Sequence, residues 1–129
     1  MTDRAAVSDW IGGYLVAWDS NAPADIRALF TPDARYRFHP WDEPVVGHDA
    51  ITAAWLDGGD QIGDHAFVWE VVAVDGPTAV VQARTSYSAG SAAGRAFENL
   101  WIIRLGPDGR ATDFTEWYLE RPEEGRTAP

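Results

Sequence analysis

Apolar residues recur at a helical period over the first part of the chain. Between residues 7 and 18 they return every three or four positions, which is the spacing of one face of an α-helix. These residues are Val7, Trp10, Ile11, Tyr14, Leu15 and Trp18. Asp3 or Ser8 can cap this helix, because a short polar side chain accepts hydrogen bonds from the N–H groups of a first turn. The pattern predicts an amphipathic first helix.

Two shorter helices are expected after the first. Pro23 suits the first turn of the second helix, whose pattern covers residues 24–30 until Pro32 ends it. Gly47 precedes the third helix, and the glycines at 58–59 mark its end. The residues that share a face are Ile26, Leu29 and Phe30 in the second helix, and Ile51, Ala54 and Trp55 in the third.

The remaining segments alternate with a period of two, which is typical of strands. A first strand is expected at residues 34–38, before an irregular segment that contains His39 and Trp41. Turn residues at 75–77 and 106–109 predict two hairpins, and residues 88–94 form a loop of small residues. The four strands of these hairpins are expected at residues 65–74, 78–88, 95–105 and 110–120.

Composition narrows the class of protein. Twenty Asp and Glu against ten Lys and Arg give the 129 residues a formal charge of −10, which repels nucleic acid and anionic membranes. The chain has no Cys, no secretory signal at its start and no apolar run near the roughly 20 residues of a membrane span. We therefore expect one cytoplasmic domain over residues 1–129, with a core at about 5–121, a flexible tail at 122–129, and no nucleic-acid or membrane partner.

Four short segments, in this order and spacing, resemble the nuclear transport factor 2-like superfamily, and particularly its SnoaL-like and ketosteroid-isomerase-like members. They are the helix of Tyr14, residues 28–34, residues 47–51 and residues 114–117. The resemblance implies an α+β fold, a cone-shaped domain with three N-terminal helices packed on a curved, mainly antiparallel sheet around a pocket. It also implies a homodimer formed through the convex sheet face. Relatives isomerise, cyclise, dehydrate, hydrolyse epoxides or only bind, so the fold does not select a function.

Individual positions carry part of this resemblance. Tyr14 matches the first-helix tyrosine that ketosteroid isomerases use as an oxyanion donor, and Trp55 matches an aromatic residue that lines their pocket. Their general-base aspartate falls at Phe38 or, with one inserted residue, at His39, and their protonated aspartate falls near residues 99–101. None of these positions holds a carboxylic acid, so the carboxyl pair whose pKa values those isomerases tune is missing.

The last hairpin supplies the main candidate site. Counting back from its turn predicts three opposed pairs on one sheet face. They are Asn99 with Glu116, Trp101 with Phe114, and Phe97 with Tyr118. If this face is a pocket floor, burial disfavours the charged form of Glu116 and brings its pKa towards neutrality, as a general acid or base requires, while Asn99 orients it or donates to a substrate oxygen. The alternative places Glu116 on the outer face of an edge strand.

Two further residues are candidates for catalysis. His39 stands at the strand end where relatives carry a base, and an imidazole titrates near neutral pH; the alternative is a half-exposed ring in a surface loop. Tyr14 is a candidate donor at the apex of the pocket; the alternative is a core tyrosine with its hydroxyl bonded to the backbone.

The middle hairpin has one mixed and one apolar face. Pairing about Gly76 places Glu70 near Gln82 and Val68 near Arg84. The apolar set is Trp69, Val71, Val81 and Ala83. In one assignment the mixed face looks into the pocket, Arg84 is an anion anchor and the apolar face forms a dimer seam. In the other, the apolar face lies under the helices and the mixed face meets water.

These patterns predict a small-molecule pocket. Its expected lining is Trp18, Phe38, Trp41, Trp55, Arg84, Phe97, Trp101, Phe114 and Tyr118. One hypothesis is cofactor-free acid–base catalysis of isomerase, cyclase, dehydratase or hydrolase type on a hydrophobic, ring-bearing molecule, in which Glu116 or His39 moves a proton while Tyr14 and Asn99 hold an oxygen. The alternatives are non-catalytic binding of such a molecule and a dimeric protein-interaction module. The three histidines show no metal-binding spacing and no nucleotide motif is present, so neither metal nor cofactor is expected.

Overall fold

Three helices and a six-stranded sheet form the fold. The computed structural model describes residues 2–57, 65–87 and 94–122. Its elements are α1 (Arg4–Ser20), α2 (Pro23–Arg27), β1 (Phe30–Arg37), β2 (Val45–Val46), α3 (His48–Asp57), β3 (His65–Asp75), β4 (Thr78–Tyr87), β5 (Ala96–Leu105) and β6 (Ala111–Glu120). The predicted end of the third helix at 58–59, most of the loop at 88–94 and the tail beyond 122 lie outside the described residues.

The strand order is β2-β1-β6-β5-β4-β3. Neighbouring strands are antiparallel except β1 and β6, which are parallel. The two-residue strand β2 was not predicted, because two residues are too short to show a period. The predicted α+β fold, with helices on a curved and mainly antiparallel sheet, is confirmed.

Polar residues mark both ends of α1. The Asp3 carboxylate accepts a hydrogen bond from the backbone N–H of Ala6 at 2.9 Å, so Asp3 rather than Ser8 is the N-cap. At the other end Asn21 adopts a left-handed conformation with φ of 50°, and its N–H donates to the carbonyl of Ala17 at 2.8 Å. An asparagine tolerates this conformation better than most residues, and it closes the helix.

The second helix is shorter than predicted. It ends at Arg27, and Phe30 begins β1 instead of completing a helical face. Pro32 lies within β1 rather than ending a helix. The pairing of β1 with β6 shifts register between Phe30 and Arg35. A proline is tolerated at such an irregularity, because the ladder there does not require its missing N–H.

The core lies between α1 and the inner face of the sheet. Trp10 packs on Phe114 with ring centroids 5.6 Å apart, and Tyr14 packs on Trp101 at 4.5 Å. Trp10 Nε1–H donates to the carbonyl of Leu29 at 2.9 Å, which satisfies its buried nitrogen. The large rings of α1 therefore fix the distance between helix and sheet.

The middle hairpin has the predicted register and the second of the two proposed orientations. Glu70 pairs with Gln82, and Val68 pairs with Arg84. Val81 and Ala83 are buried against the core, while Gln82 and Arg84 are exposed on the outer face. The apolar face therefore packs inward, and its assignment to a dimer seam is wrong.

The last hairpin differs from its predicted register by two residues. Its observed pairs are Asn99 with Tyr118, Trp101 with Glu116, and Ile103 with Phe114. The cause lies at the turn, where Leu105 pairs with Ala111 and the register shifts between Arg104 and Leu105. Because side chains alternate between faces, an even offset leaves each residue on its predicted face.

Burial in the core of α1 predicts the cost of losing one side chain. Ile11 is fully buried and Val16 is 56% exposed on the same helix. We expect Ile11→Ala to lower the free energy of unfolding by about 2–5 kcal/mol, because it leaves a cavity between helix and sheet. Val16→Ala removes a β-branched side chain from the solvent face and changes it by less than about 0.5 kcal/mol. Urea denaturation followed by tryptophan fluorescence measures both, and equal effects would contradict this description of the core.

Candidate functional site

A cavity of about 290 Å³ lies between the helices and the inner face of the sheet. Its volume is close to the lower end of the range for small-molecule sites, about 300–1,000 Å³. The lining residues are Tyr14, Trp18, Tyr36, Phe38, Trp55, Thr85, Tyr87, Phe97, Asn99, Glu116 and Tyr118. Among the described residues, the lining thus combines eight aromatic side chains with one hydroxyl, one amide and one carboxylate from non-aromatic residues.

A chain of hydrogen bonds fixes the polar groups of the floor. Thr85 Oγ1 donates to Asn99 Oδ1 at 2.8 Å, and Asn99 Nδ2 donates to Glu116 Oε2 at 3.1 Å. Trp101 Nε1–H donates to the same oxygen of Glu116 at 2.7 Å. Because the carboxylate of Glu116 accepts, the Asn99 amide directs its Nδ2 to Glu116 and its Oδ1 to the Thr85 hydroxyl.

Two of the predicted lining residues lie beside this floor, on the same sheet face but under α1. Trp101 and Phe114 are each 1% exposed and belong to the core. Neither lines the cavity, because the rings of α1 cover them. Trp101 still acts on the site through its hydrogen bond to Glu116.

His39 lies beside the cavity rather than in its lining. His39 Nδ1 is 2.9 Å from Asp42 Oδ2, and His39 Nε2 is 2.9 Å from the hydroxyl of Tyr118. An ionised Asp42 can only accept, so Nδ1 carries a proton and, in the neutral ring, Nε2 accepts the Tyr118 O–H. The imidazole stacks on Trp41, which is 79% exposed and does not line the cavity as predicted. His39 is therefore linked to the cavity by its hydrogen bond to Tyr118.

Tyr14 belongs to both the core and the lining of the cavity. Its ring is 8% exposed and packs in the core, yet it also lines the cavity at the end formed by α1. Trp18, Phe38, Trp55 and Phe97 line the cavity as expected. Trp55 is anchored by its Nε1–H, which donates to Asn21 Oδ1 at 3.2 Å.

Sequence reasoning missed three lining residues, Tyr36, Thr85 and Tyr87. Tyr36 alternates in step with Phe38 along β1, so its inward direction was visible in the pattern. Thr85 and Tyr87 lie on the same face of β4 as Val81 and Ala83, because side chains alternate along a strand. They would have been found had the apolar face of the middle hairpin been assigned inward.

Arg84 lies on the face opposite the cavity, so its expected place in the pocket is corrected. Its Nη2 donates to Glu98 Oε1 at 2.9 Å, and both side chains are nearly half exposed. The hydrogen bond and the charge of this guanidinium hold the pKa of the Glu98 carboxyl below its usual value. The guanidinium is committed to a surface ion pair and cannot anchor an anion within the cavity.

The described residues set two further bounds on the site. Within 2–57, 65–87 and 94–122, no group of three or more His, Cys, Asp or Glu side chains is close enough together to hold a metal ion. No helix in these ranges is long and apolar enough to cross a membrane.

Comparisons with known proteins agree with this architecture. A family model described as a SnoaL-like domain matches residues 11–114. Among solved structures, a candidate ketosteroid isomerase from Kribbella flavida superposes with a TM-score of 0.66 at 20% identity, covering 100% of this chain and 87% of that one. An NTF-2 like protein of unknown function from Burkholderia xenovorans gives 0.66 at 14% identity, with coverages of 97% and 88%. A ketosteroid isomerase-like protein from Erwinia carotovora atroseptica gives 0.64 at 20% identity, with coverages of 90% and 95%. A comparison with curated proteins finds no significant match.

The hydrogen bond from Thr85 predicts a measurable contribution to stability. Thr85→Val keeps the shape of the side chain but removes the donor to Asn99 Oδ1, and we expect a loss of about 1–3 kcal/mol in the free energy of unfolding. Thr85→Ser retains the hydroxyl and should lose less. Urea denaturation compares the two variants, and a Thr85→Val protein as stable as the wild type would show that the floor network is not held by this bond.

Proposed function

We propose a cofactor-free catalytic function for this chain, which belongs to the SnoaL-like domain family. In this proposal the cavity binds a small, hydrophobic, ring-bearing molecule, and side chains of the wall and floor move a proton in an isomerase, cyclase or dehydratase type of reaction. The observation that carries the proposal is the carboxylate of Glu116, which lines an aromatic cavity and is held there by two donors. An oriented carboxylate within reach of a bound molecule is the usual requirement for a general base.

The neighbourhood of Glu116 supports this role. Strand β1 runs parallel to β6, and Arg37 pairs with Thr115. Phe38, the first residue after β1, therefore lies beside Glu116, and both line the cavity. The resemblance to ketosteroid isomerases implied a base at Phe38 or His39. In this chain the carboxylate belongs to Glu116 on the adjacent strand β6, and it faces the same part of the cavity.

A second group complements this base. The hydroxyl of Tyr118 lines the cavity and bonds to His39, whose other nitrogen bonds to Asp42. In our proposal Tyr118 exchanges a proton with the bound molecule, and His39 takes up or returns that proton at Nε2. Asp42 holds the imidazole in orientation. His39 is thus a positioning residue that acts through Tyr118.

The contacts of Asn99 and the position of Tyr14 support a proposed role for each. One N–H of the Asn99 amide is committed to Glu116 and its carbonyl to Thr85, so Asn99 orients the base. We assign the substrate oxygen to Tyr14, which matches the oxyanion donor of ketosteroid isomerases and lines the same cavity. Preorganised donors of this kind stabilise negative charge that develops on oxygen in a transition state.

Non-catalytic binding is the second candidate function. It is favoured by the eight aromatic side chains of the lining, which would hold a flat ligand without any proton transfer. A bound ring compound that is recovered unchanged after prolonged incubation would support it. A product formed from that compound would exclude pure binding.

Catalysis predicts that removing either proton-moving group lowers turnover. We expect Glu116→Gln to lower kcat by about 10²–10⁴-fold, because the neutral amide cannot take up the proton that the carboxylate accepts. Tyr118→Phe removes the hydroxyl that exchanges a proton with the bound molecule and should also lower kcat. His39→Ala removes the partner of that hydroxyl and should act in the same direction.

The assay measures product formation from ring-bearing ketones and related compounds that have first been shown to bind the protein. Arg84→Ala is the matched control, because its side chain lies on the opposite face and should leave turnover unchanged. Full turnover in both Glu116→Gln and Tyr118→Phe would refute these assignments.

We also propose that the protein forms a homodimer through the outer sheet face. Exposed apolar side chains share this face, with the Arg84–Glu98 ion pair among them. They are Val68, Leu100, Ile102, Trp117 and Leu119. A contiguous apolar area of this kind on a sheet is typical of an interaction surface, and a second copy of the same face would cover it in a closed, symmetric assembly.

This arrangement predicts that one charge at the outer face separates the subunits. Ile102 is 37% exposed, so Ile102→Lys should leave the fold intact while placing two like charges in the seam. Light scattering coupled to size exclusion should give a dimer for the wild type and a monomer for the variant. Val16→Lys, on the solvent face of α1, should remain dimeric. A wild-type protein that is monomeric at micromolar concentration would refute the proposed dimer interface.

A further inference from the structure

We infer that Trp41 forms an outer binding subsite beside the opening of the cavity, where a flat ring at the far end of an elongated ligand stacks on the indole. This inference rests on the proposed small-molecule function and adds the length and shape of the molecule to it. It does not depend on whether the bound molecule is converted.

The cavity opens to solvent beside Tyr118. This residue belongs to the lining and is 46% exposed, whereas Tyr14 and Tyr36, which also line the cavity, are 8% and 2% exposed. The cavity volume of about 290 Å³ is close to the lower end of the range for small-molecule sites. A larger ligand therefore extends out of the cavity past Tyr118.

Trp41 stands next to this opening. His39 Nε2 is 2.9 Å from the Tyr118 hydroxyl. The indole of Trp41 stacks on the imidazole of His39, with ring centroids 4.9 Å apart and planes 10° from parallel. Because Nε2 lies in the plane of the imidazole and Trp41 covers one of its faces, Trp41 lies to one side of the bond between His39 and Tyr118. The indole is 79% exposed, so the face that His39 does not cover meets solvent.

The segment that carries Trp41 is held in place. The Asp42 N–H donates to the carbonyl of His39 at 3.1 Å, and Arg37 Nε–H donates to the carbonyl of Asp42 at 3.2 Å. Pro40 restricts the backbone directly before Trp41. Single apolar side chains on a surface are common, but a ring that is already held loses little conformational freedom when a ligand stacks on it.

The position of Trp41 favours a ligand over a partner protein as its occupant. His39 bonds to Tyr118, whose side chain lines the cavity on the inner face of the sheet. Trp41 is thus connected to the cavity side of the molecule. The apolar side chains of the proposed dimer interface, such as Leu100 and Ile102, lie on the outer face.

A flat ring is the group that this surface recognises. Ring pairs with centroids about 4.5–7 Å apart contribute to binding beyond the apolar area that they bury. The lining of the cavity is itself mainly aromatic. A molecule with two ring systems joined by a linker therefore places one in the cavity and the other on Trp41.

Three probes that share one naphthol test the inference by isothermal titration calorimetry. The reference, 2-naphthol, has no second ring system. The other two, 6-benzyloxy-2-naphthol and 6-(3-phenylpropoxy)-2-naphthol, add a phenyl group on a shorter and a longer linker. We expect one or both of the extended probes to bind the wild type at least about fivefold more tightly than 2-naphthol.

Variants at position 41 locate the source of this gain. In Trp41→Ala we expect the extended probes to bind no more tightly than 2-naphthol, and 2-naphthol itself to bind as it does to the wild type. Trp41→Phe retains a flat ring and should keep part of the gain. Val16→Ala is the matched control, because Val16 is 56% exposed on the solvent face of α1 and should keep all of it.

The outcomes separate this inference from the function on which it rests. If 2-naphthol and both extended probes bind the wild type equally, the cavity still binds a small molecule and the outer subsite is refuted. If the gain survives in Trp41→Ala, the second ring rests elsewhere and the inference is overturned.

Two further outcomes would also overturn the inference. If Trp41→Ala weakens all three probes to the same extent, Trp41 supports His39 and the cavity rather than a second ring. If light scattering shows that Trp41→Ala dissociates a wild-type dimer and the wild type shows no gain, a second copy of the chain covers the indole. If no probe binds, both the small-molecule function and the inference fail.

Discussion

Trp101 belongs to the core and to the candidate site at the same time. Its ring is 1% exposed and packs against Trp10 and Tyr14 of α1, while its Nε1–H reaches Glu116. Burying an indole requires a partner for that single donor. In this fold the partner is the carboxylate of Glu116. The same hydrogen bond therefore satisfies the buried indole and orients the candidate base. Glu116 is therefore held in place by the same packing that joins α1 to the sheet.

The elements with a clear period were predictable from the sequence. The first helix and the four long strands of the two hairpins appear within a few residues of their expected bounds. The last hairpin shows why the candidate site was placed on the right face despite a wrong register. The irregularity near Leu105 displaced the pairing by two residues, and alternation kept Asn99 and Glu116 directed inward.

Other parts of the site depend on contacts that no local pattern carries. Arg84 points outward because α1 covers the opposite face of the sheet. The alternation along the middle hairpin was compatible with either face lying inward, so it did not predict this direction. The bond between His39 and Tyr118 joins residues 79 positions apart, so only the parallel pairing of β1 with β6 reveals it. Phe30 showed a helical spacing by chance, and its place in β1 depends on the partner strand.

The pairing of β1 with β6 also constrains when the cavity can exist. The polar floor and the hydrogen bond to His39 need Glu116 and Tyr118, which come from β6, while α1 and β1 are made first. Contacts between distant parts of a chain form slowly, because the intervening segment must be ordered before they gain any stability. During synthesis on the ribosome, the aromatic surface of α1 therefore emerges well before the strand that covers it. Until β6 is released, these aromatic side chains lack the partners that bury them in the folded domain.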